Sequence, residues 1–311
     1  MMTSPDIKSV DVEIRMNKLL ILDKSVFHKS LLEKKAKDKL LRFVKCHNVI
    51  LPHALCVECA VSQKGNSTKE DKDPIMLMNT FHEIVKNGAY AGKSPSRIVK
   101  EERSLNTAIE SLIDEEQTEI MREAILKEKP DTEKAGSMCE EAFKPITETV
   151  KQWTKQFYQS ILEKNKERDF REEVDECCLV IRLKKWLQVA DEKKSDILDK
   201  YYASGRRYVF EDGWEWQMLR LSLAWGTELA SKRNKSGPGF DIENYSISND
   251  IYDIFYVSHL LHADGLITND KELQRPLAMA AFPDKDVFQS IEDVPCRYCT
   301  GKKELIESIQ E

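Results

Sequence analysis

Four acidic positions, far apart in the chain, fall where a short apolar run ends or a helix begins. Leu19, Leu20, Ile21 and Leu22 run straight into Asp23, and Leu266 and Ile267 are stopped by Thr268, Asn269 and Asp270. Val49, Ile50 and Leu51, closed by Pro52, lead into a helix with Glu58 about a turn and a half inside; Asp250 or Asp253, at the start of a helix preceding Leu266, offers the fourth. Like charges about 4 Å apart repel by on the order of 4 kcal/mol at an effective dielectric near 20. Acids gathered that closely call for a cation. Oxygen donors of this hardness select magnesium or manganese over zinc, and two such ions about 3.5 to 4 Å apart activate water and stabilise the leaving oxygen in phosphodiester hydrolysis. The chain has no Walker lysine loop and no GxSxG elbow, and His28, His47, His53, His82, His259 and His262 show no HExxH spacing.

The elements that must position these acids follow from hydrophobic period. Unbroken apolar runs bounded by polar residues predict buried strands at 19–22, 49–51 and 266–267, with another around 287–291. Ligands of open α/β sheets bind at the carboxyl ends of such strands, where Asp23 and Asp270 fall. Glu58 projects back over the sheet edge, because a helical side chain covers the turn N-terminal to itself. Its company, Leu55, Cys56, Val57, Cys59, Ala60 and Val61, is apolar or soft, so a charge there needs a reason. Ile254, Val257, Leu260 and Leu261 predict a helix through His262 with Asn249 as its cap, and another helix starts near Lys271. Leu40, Leu41 and Val44 mark the inner face of a helix whose outer face carries Lys34, Lys35, Lys37, Lys39 and Arg42, a solvated basic face or one that meets phosphates.

With 311 residues and 41% hydrophobic content, the chain fits one elaborated domain or two. Its net charge of -6 with 33% charged residues excludes a global basic field, so a nucleic-acid partner must be held by a local patch. No export signal and no apolar stretch of membrane-spanning length is present, so a soluble, cytoplasmic protein without a membrane partner is expected. Eight cysteines in a reducing compartment suggest thiols rather than disulfides. Of the two CxxC pairs, Cys56/Cys59 lies on a helix and suits core packing, while Cys296/Cys299 lies in a loop; a structural zinc ion there is the less expected alternative to incidental thiols.

Between a polar connector at 62–73 and about residue 235 the pattern is helical, with segments predicted at 75–85, 95–108, 109–126, 144–162, 170–190 and 214–230. An all-α insertion at 70–240 is therefore expected to interrupt an α/β core at 17–65 and 243–295, with 296–311 as a charged tail. Trp153, Trp186, Trp214, Trp216 and Trp225 suit helix packing better than base stacking. The basic loop from Lys232 and Arg233 through Lys235 to Gly239 is either a clamp on a nucleic-acid backbone or a hinge.

Leu22-Asp23-Lys24-Ser25-Val26-Phe27 resembles the opening strand of the PIN-domain nucleases, and Val49 through Glu58 resembles their second strand and acidic helix. Asn249-Asp250-Ile251-Tyr252-Asp253, followed by Ala263-Asp264-Gly265-Leu266-Ile267-Thr268-Asn269-Asp270-Lys271-Glu272-Leu273, is similar to that family's late acidic segment and is the most specific match. The resemblance spans roughly residues 17–62 and 243–295. It implies a PIN-like parallel sheet flanked by helices, with Asp23, Glu58, Asp253 and Asp270 as catalytic metal ligands. It also implies Asp250 as a competing or additional ligand and Ser25 as an outer-shell hydrogen bonder; Asn269 is a further outer-shell candidate, and Lys24, Lys232, Arg233 and Lys235 are the candidates to meet the strand. It further implies a magnesium- or manganese-dependent endonuclease of single-stranded nucleic acid, RNA favoured, toxin-like in type. A structure-specific DNA nuclease and a catalytically silent interaction module are the alternatives. A protein inhibitor or partner on the insertion, and a homo-oligomer, stay open. Lys24 departs from the family's usual small hydroxyl residue, and the insertion is far longer than in compact members, so substrate and regulation do not transfer.

Overall fold

A computed structural model of the chain describes residues 18–27, 34–60, 74–123, 148, 178–203, 213–233 and 247–300. Strands β1 (Leu19–Leu22), β2 (Asn48–Leu51), β3 (Tyr90–Ala91), β4 (Gly265–Ile267) and β5 (Asp286–Phe288) form one sheet in the order β3-β2-β1-β4-β5. Every pairing is parallel. The chain is thus of the α/β class expected from its sequence. Leu20, Ile21, Leu22, Val49, Ile50, Leu51, Leu266 and Ile267 are all fully buried. A parallel strand covered on both faces has no polar side, which is why these segments read as unbroken apolar runs. Gly265 is where β4 passes closest to its neighbours, since a Cβ there would lie 3.0 Å from the Leu20 side chain and 3.1 Å from the Asp286 carbonyl.

The helices, in chain order, are α1 (Lys34–Cys46), α2 (His53–Ala60), α3 (Pro74–Lys86), α4 (Pro95–Leu105), α5 (Glu115–Glu123), α6 (Leu179–Glu192), α7 (Lys194–Ala203), α8 (Trp214–Arg233), α9 (Ile247–Ser258) and α10 (Gln274–Ala281). The chain winds outward from β1 through α1 to β2 and on to β3, then outward the other way from β4 through α10 to β5. Crossovers between parallel strands are right-handed, so the two windings put their helices on opposite faces. Helix α1 packs against α3 and β2, whereas α9 and α10 pack together with α6 and α8 beside them. Winding reverses between the neighbouring strands β1 and β4, and a crevice forms there at the strands' carboxyl ends.

The stretch 70–240, expected as an all-α insertion, has to be redrawn. Within it β3 pairs with β2, Ile50 opposite Tyr90 and Leu51 opposite Ala91, and α3 packs against α2 and α5. Two residues are too few for either a strand alternation or an apolar run to register in sequence. The turn into β3 is carried by Gly88, whose φ of 125° is open to glycine and strained for other residues. Sheet-bound chain therefore continues to at least α5, and the layer farther from the sheet is α6 to α8. Helix α5 starts only at Glu115, and the helix predicted at 144–162 lies outside the described residues, apart from Glu148. Trp186, Trp214, Trp216 and Trp225 are buried in the core as expected, and Trp153 lies outside the described residues. No helix among the described residues is long and apolar enough to cross a membrane.

Candidate functional site

Asp23 leaves β1 at the reversal point and is buried at 2% exposure. A carboxylate there needs donors, and four hydrogen bonds reach it. Its Oδ2 accepts from the Ser25 amide at 3.0 Å, the Ser25 hydroxyl at 2.6 Å and the Thr268 hydroxyl at 3.0 Å. Its Oδ1 accepts from Gln274 Nε2 at 3.0 Å. Ser25 and Thr268 are also structural links. The Asn269 amide donates to Ser25 Oγ at 2.9 Å, and the Asp270 amide donates to Thr268 Oγ1 at 3.0 Å, so the loops after β1 and β4 are laced together. The Asp270 carboxylate caps the turn behind it, its Oδ1 accepting the amides of Glu272 at 2.7 Å and Leu273 at 3.0 Å.

From the helical side, α9 brings Asp253 and α2 brings Glu58. Gln274 Nε2 donates to Asp253 Oδ1 at 2.9 Å as well as to Asp23, so one amide group bridges two acids. Burial pushes Asp253 up to about 7; the Gln274 hydrogen bond works against that, and the charges of Glu58, Asp23 and Asp270 add to the rise. The other three expected acids are thus within electrostatic reach of Asp253. Glu58 is fixed by the Lys24 ammonium at 2.9 Å and by the Tyr256 hydroxyl at 2.6 Å. Tyr256 is fully buried, and burial followed by the negative charges of Glu58 and Asp23 drives its phenol well above the usual range, so it acts as a donor. It lies one helical turn beyond Asp253.

Other expectations fare differently. The Asp250 carboxylate accepts from the Trp225 indole of α8 at 2.7 Å. Lys24, expected to meet the nucleic acid, is tied to Glu58. Lys235 lies outside the described residues, as do the side chains of Lys232 and Arg233 at the end of α8. Cys56 and Cys59 sit on α2, half-buried and buried respectively, while Cys296 is exposed and Cys299 Sγ approaches His47 Nε2 at 3.4 Å. Gln274, Thr268 and Tyr256 were not singled out from sequence as site residues. For Tyr256 a signal existed, three residues after Asp253 on the same helical face; Gln274 had none beyond its place four residues after Asp270.

Whether these residues suit a divalent ion depends on two observations. Among the described residues no three His, Cys, Asp or Glu side chains stand in a group ready to share an ion. The space between Asp23 and Asp253 holds the Gln274 amide nitrogen, and Lys24 holds Glu58. Against that, Gln274 Oε1 is buried without a hydrogen-bond partner, and a half-turn of this amide replaces the N–H donor between the acids with another oxygen. With that rotation the donors are all hard oxygens, the set that magnesium and manganese take. Compared with known protein families, curated proteins and solved structures, the chain gives no match.

Proposed function

We propose that this chain is a magnesium- or manganese-dependent endonuclease of PIN-like type, acting on single-stranded nucleic acid, RNA in the first place. The observation that carries the reading is the approach of Glu58, Asp23 and Asp270 to Asp253 near the carboxyl ends of β1 and β4, where the winding of the sheet reverses and where burial, with the charges of those acids adding to it, raises Asp253 to about 7. Asp23, Asp253 and Asp270 would hold the ion, with Glu58 completing the set when Lys24 releases it. Bound there, a divalent ion supplies a nucleophilic water at neutral pH and stabilises the leaving oxygen of a phosphodiester. The chain's own part is positional. Ser25 and Thr268 fix the Asp23 carboxylate, the Asp270 turn fixes its Oδ1, and Tyr256 fixes Glu58. Asp253, pushed up to about 7 chiefly by burial, would be the ligand whose charge depends on pH near neutrality.

A second reading has its own observation. The Gln274 bridge and the Lys24–Glu58 pair already offset the acids from within the protein, as suits a silent PIN-like module used for assembly. Incubating the chain with single-stranded RNA and DNA oligonucleotides in manganese separates the two. Cleavage, lost in folded Asp23→Asn and Asp270→Asn proteins, supports the nuclease; no cleavage of either polymer, or full activity in both variants, overturns it.

A further inference from the structure

A cavity of about 380 Å³ opens beside the acids, between α1 and the segment that follows β5. Ser25 and Asn269 form its wall on the acid side. Because Ser25 Oγ donates to Asp23 Oδ2 at 2.6 Å, a group in the cavity is one side chain away from that carboxylate. Val26, Leu40 and Ile291 supply apolar surface. Polar groups stand around that surface. Gln289 is exposed, its oxygen accepts from Arg275 at 3.3 Å, and its N–H2 has no partner among the described residues. Charge is uneven as well. Lys39 is paired with Glu292 at 3.2 Å, whereas Lys35, also lining the cavity, has no ion-pair partner among the described residues, so the lining named here carries two lysines to one acid.

Apolar surface, amide donors and acceptors at the edges and one uncompensated ammonium match a flat heterocycle carrying an anion. A lone anion would need only the lysine, and a purely apolar ligand would leave the amides unused. We propose that this cavity is the subsite for the base of the nucleotide next to the scissile phosphate, with Lys35 on a backbone phosphate and Asn269 and Gln289 along the base edge. The proposal rests on the nuclease reading for its position along the strand. It also gives a physical reason for single-stranded substrates, since a base in a duplex is stacked and paired and enters such a cavity only after extrusion.

The test uses the full chain in calcium, with a fluorescein-labelled single-stranded octanucleotide followed by anisotropy. Ala36→Trp fills the cavity from α1 and is expected to weaken binding about tenfold. Lys35→Gln is expected to flatten the slope of log K against log salt by about 0.7, the loss of one single-strand phosphate contact. A 4-thiouridine oligonucleotide is expected to cross-link to the peptide containing Ile291, in Asp23→Asn as in the parent chain. Parent-like affinity and salt slope in both cavity variants overturn the subsite, as does an oligonucleotide that does not bind the parent chain. Equal sensitivity of a duplex to Ala36→Trp overturns base insertion. Cleavage that persists with parent-like binding in both variants removes the subsite and leaves the nuclease reading standing. Cavity-dependent binding without any cleavage supports the subsite and removes the nuclease.

Discussion

Two regions of the molecule hold buried acids and treat them in opposite ways. In the layer of α6 and α8, Glu228 is wholly buried, and Arg182 reaches it with Nε at 3.1 Å and Nη2 at 2.8 Å while the Trp186 indole donates at 3.2 Å. That carboxylate has its counter-charge inside the fold. At the ends of β1 and β4 the buried Asp23 and the half-buried Asp253 and Glu58 lie near one another, and they are offset by neutral donors, Ser25, Thr268, Gln274 and Tyr256, with one counter-charge, Lys24 on Glu58. The difference separates an acid that completes a packing arrangement from acids assembled at a cost to the folded state. Perturbed acids gathered at one sheet edge mark a candidate functional site.

The comparison breaks most visibly if the acids are ordinary. Asp23→Asn and Asp270→Asn are each expected to lower cleavage by more than the roughly 100-fold that loss of an outer-shell partner produces, read as initial rates in manganese on folded protein. Arg182→Ala is expected to destabilise the chain by about 3 to 5 kcal/mol by taking the Arg182 counter-charge away from the buried Glu228, whereas an apolar replacement of both partners recovers most of it; urea unfolding measures both.

Asp253→Asn should do the reverse of Arg182→Ala. A carboxyl whose folded pKa is raised from 3.8 to about 7 binds more protons in the folded than in the unfolded chain between those values, so the folded state loses stability as pH rises through that window. The loss is complete above pH 7 and corresponds to at most about 4 kcal/mol. Asp253→Asn is therefore expected to melt higher than the parent chain at pH 8, with the gap closing towards pH 4, while cleavage disappears. A gap that widens on acidification would show Asp253 to be an acid of the Glu228 kind. The smallest effect belongs to Gln274→Leu, which removes the bridge between Asp23 and Asp253. A loss of about 1.5 kcal/mol is expected without metal, at the low end for bonds to charged groups. Manganese should raise the melting temperature of this variant by more than that of the parent, because no amide competes for the space between the acids.

Much of this was legible in the sequence, for identifiable reasons. Strands β1, β2 and β4 announced themselves because parallel strands buried on both faces leave no polar positions, and the polar residues that stop them mark the sheet edge. Strand β3 did not, because two residues carry no period. Its absence made chain that belongs to the sheet look like part of an all-α insertion. Of the acids, Asp23 and Asp270 were readable from strand ends, while Asp250 and Asp253 were equivalent as candidates from spacing. Trp225, 25 residues before Asp250 and on another helix, takes Asp250.

The sequence by itself determined which segments must be buried, and hence which carboxylates end up at strand edges, because burial depends on side-chain type and local period. Only the tertiary structure decided how those carboxylates are offset. The Gln274 amide between Asp23 and Asp253, the Tyr256 hydroxyl on Glu58 and the cavity shared by Ser25, Lys35 and Ile291 each join residues from separate elements. Hydrogen bonds and cavities act over a few ångströms of space, and separation along the chain carries no record of them.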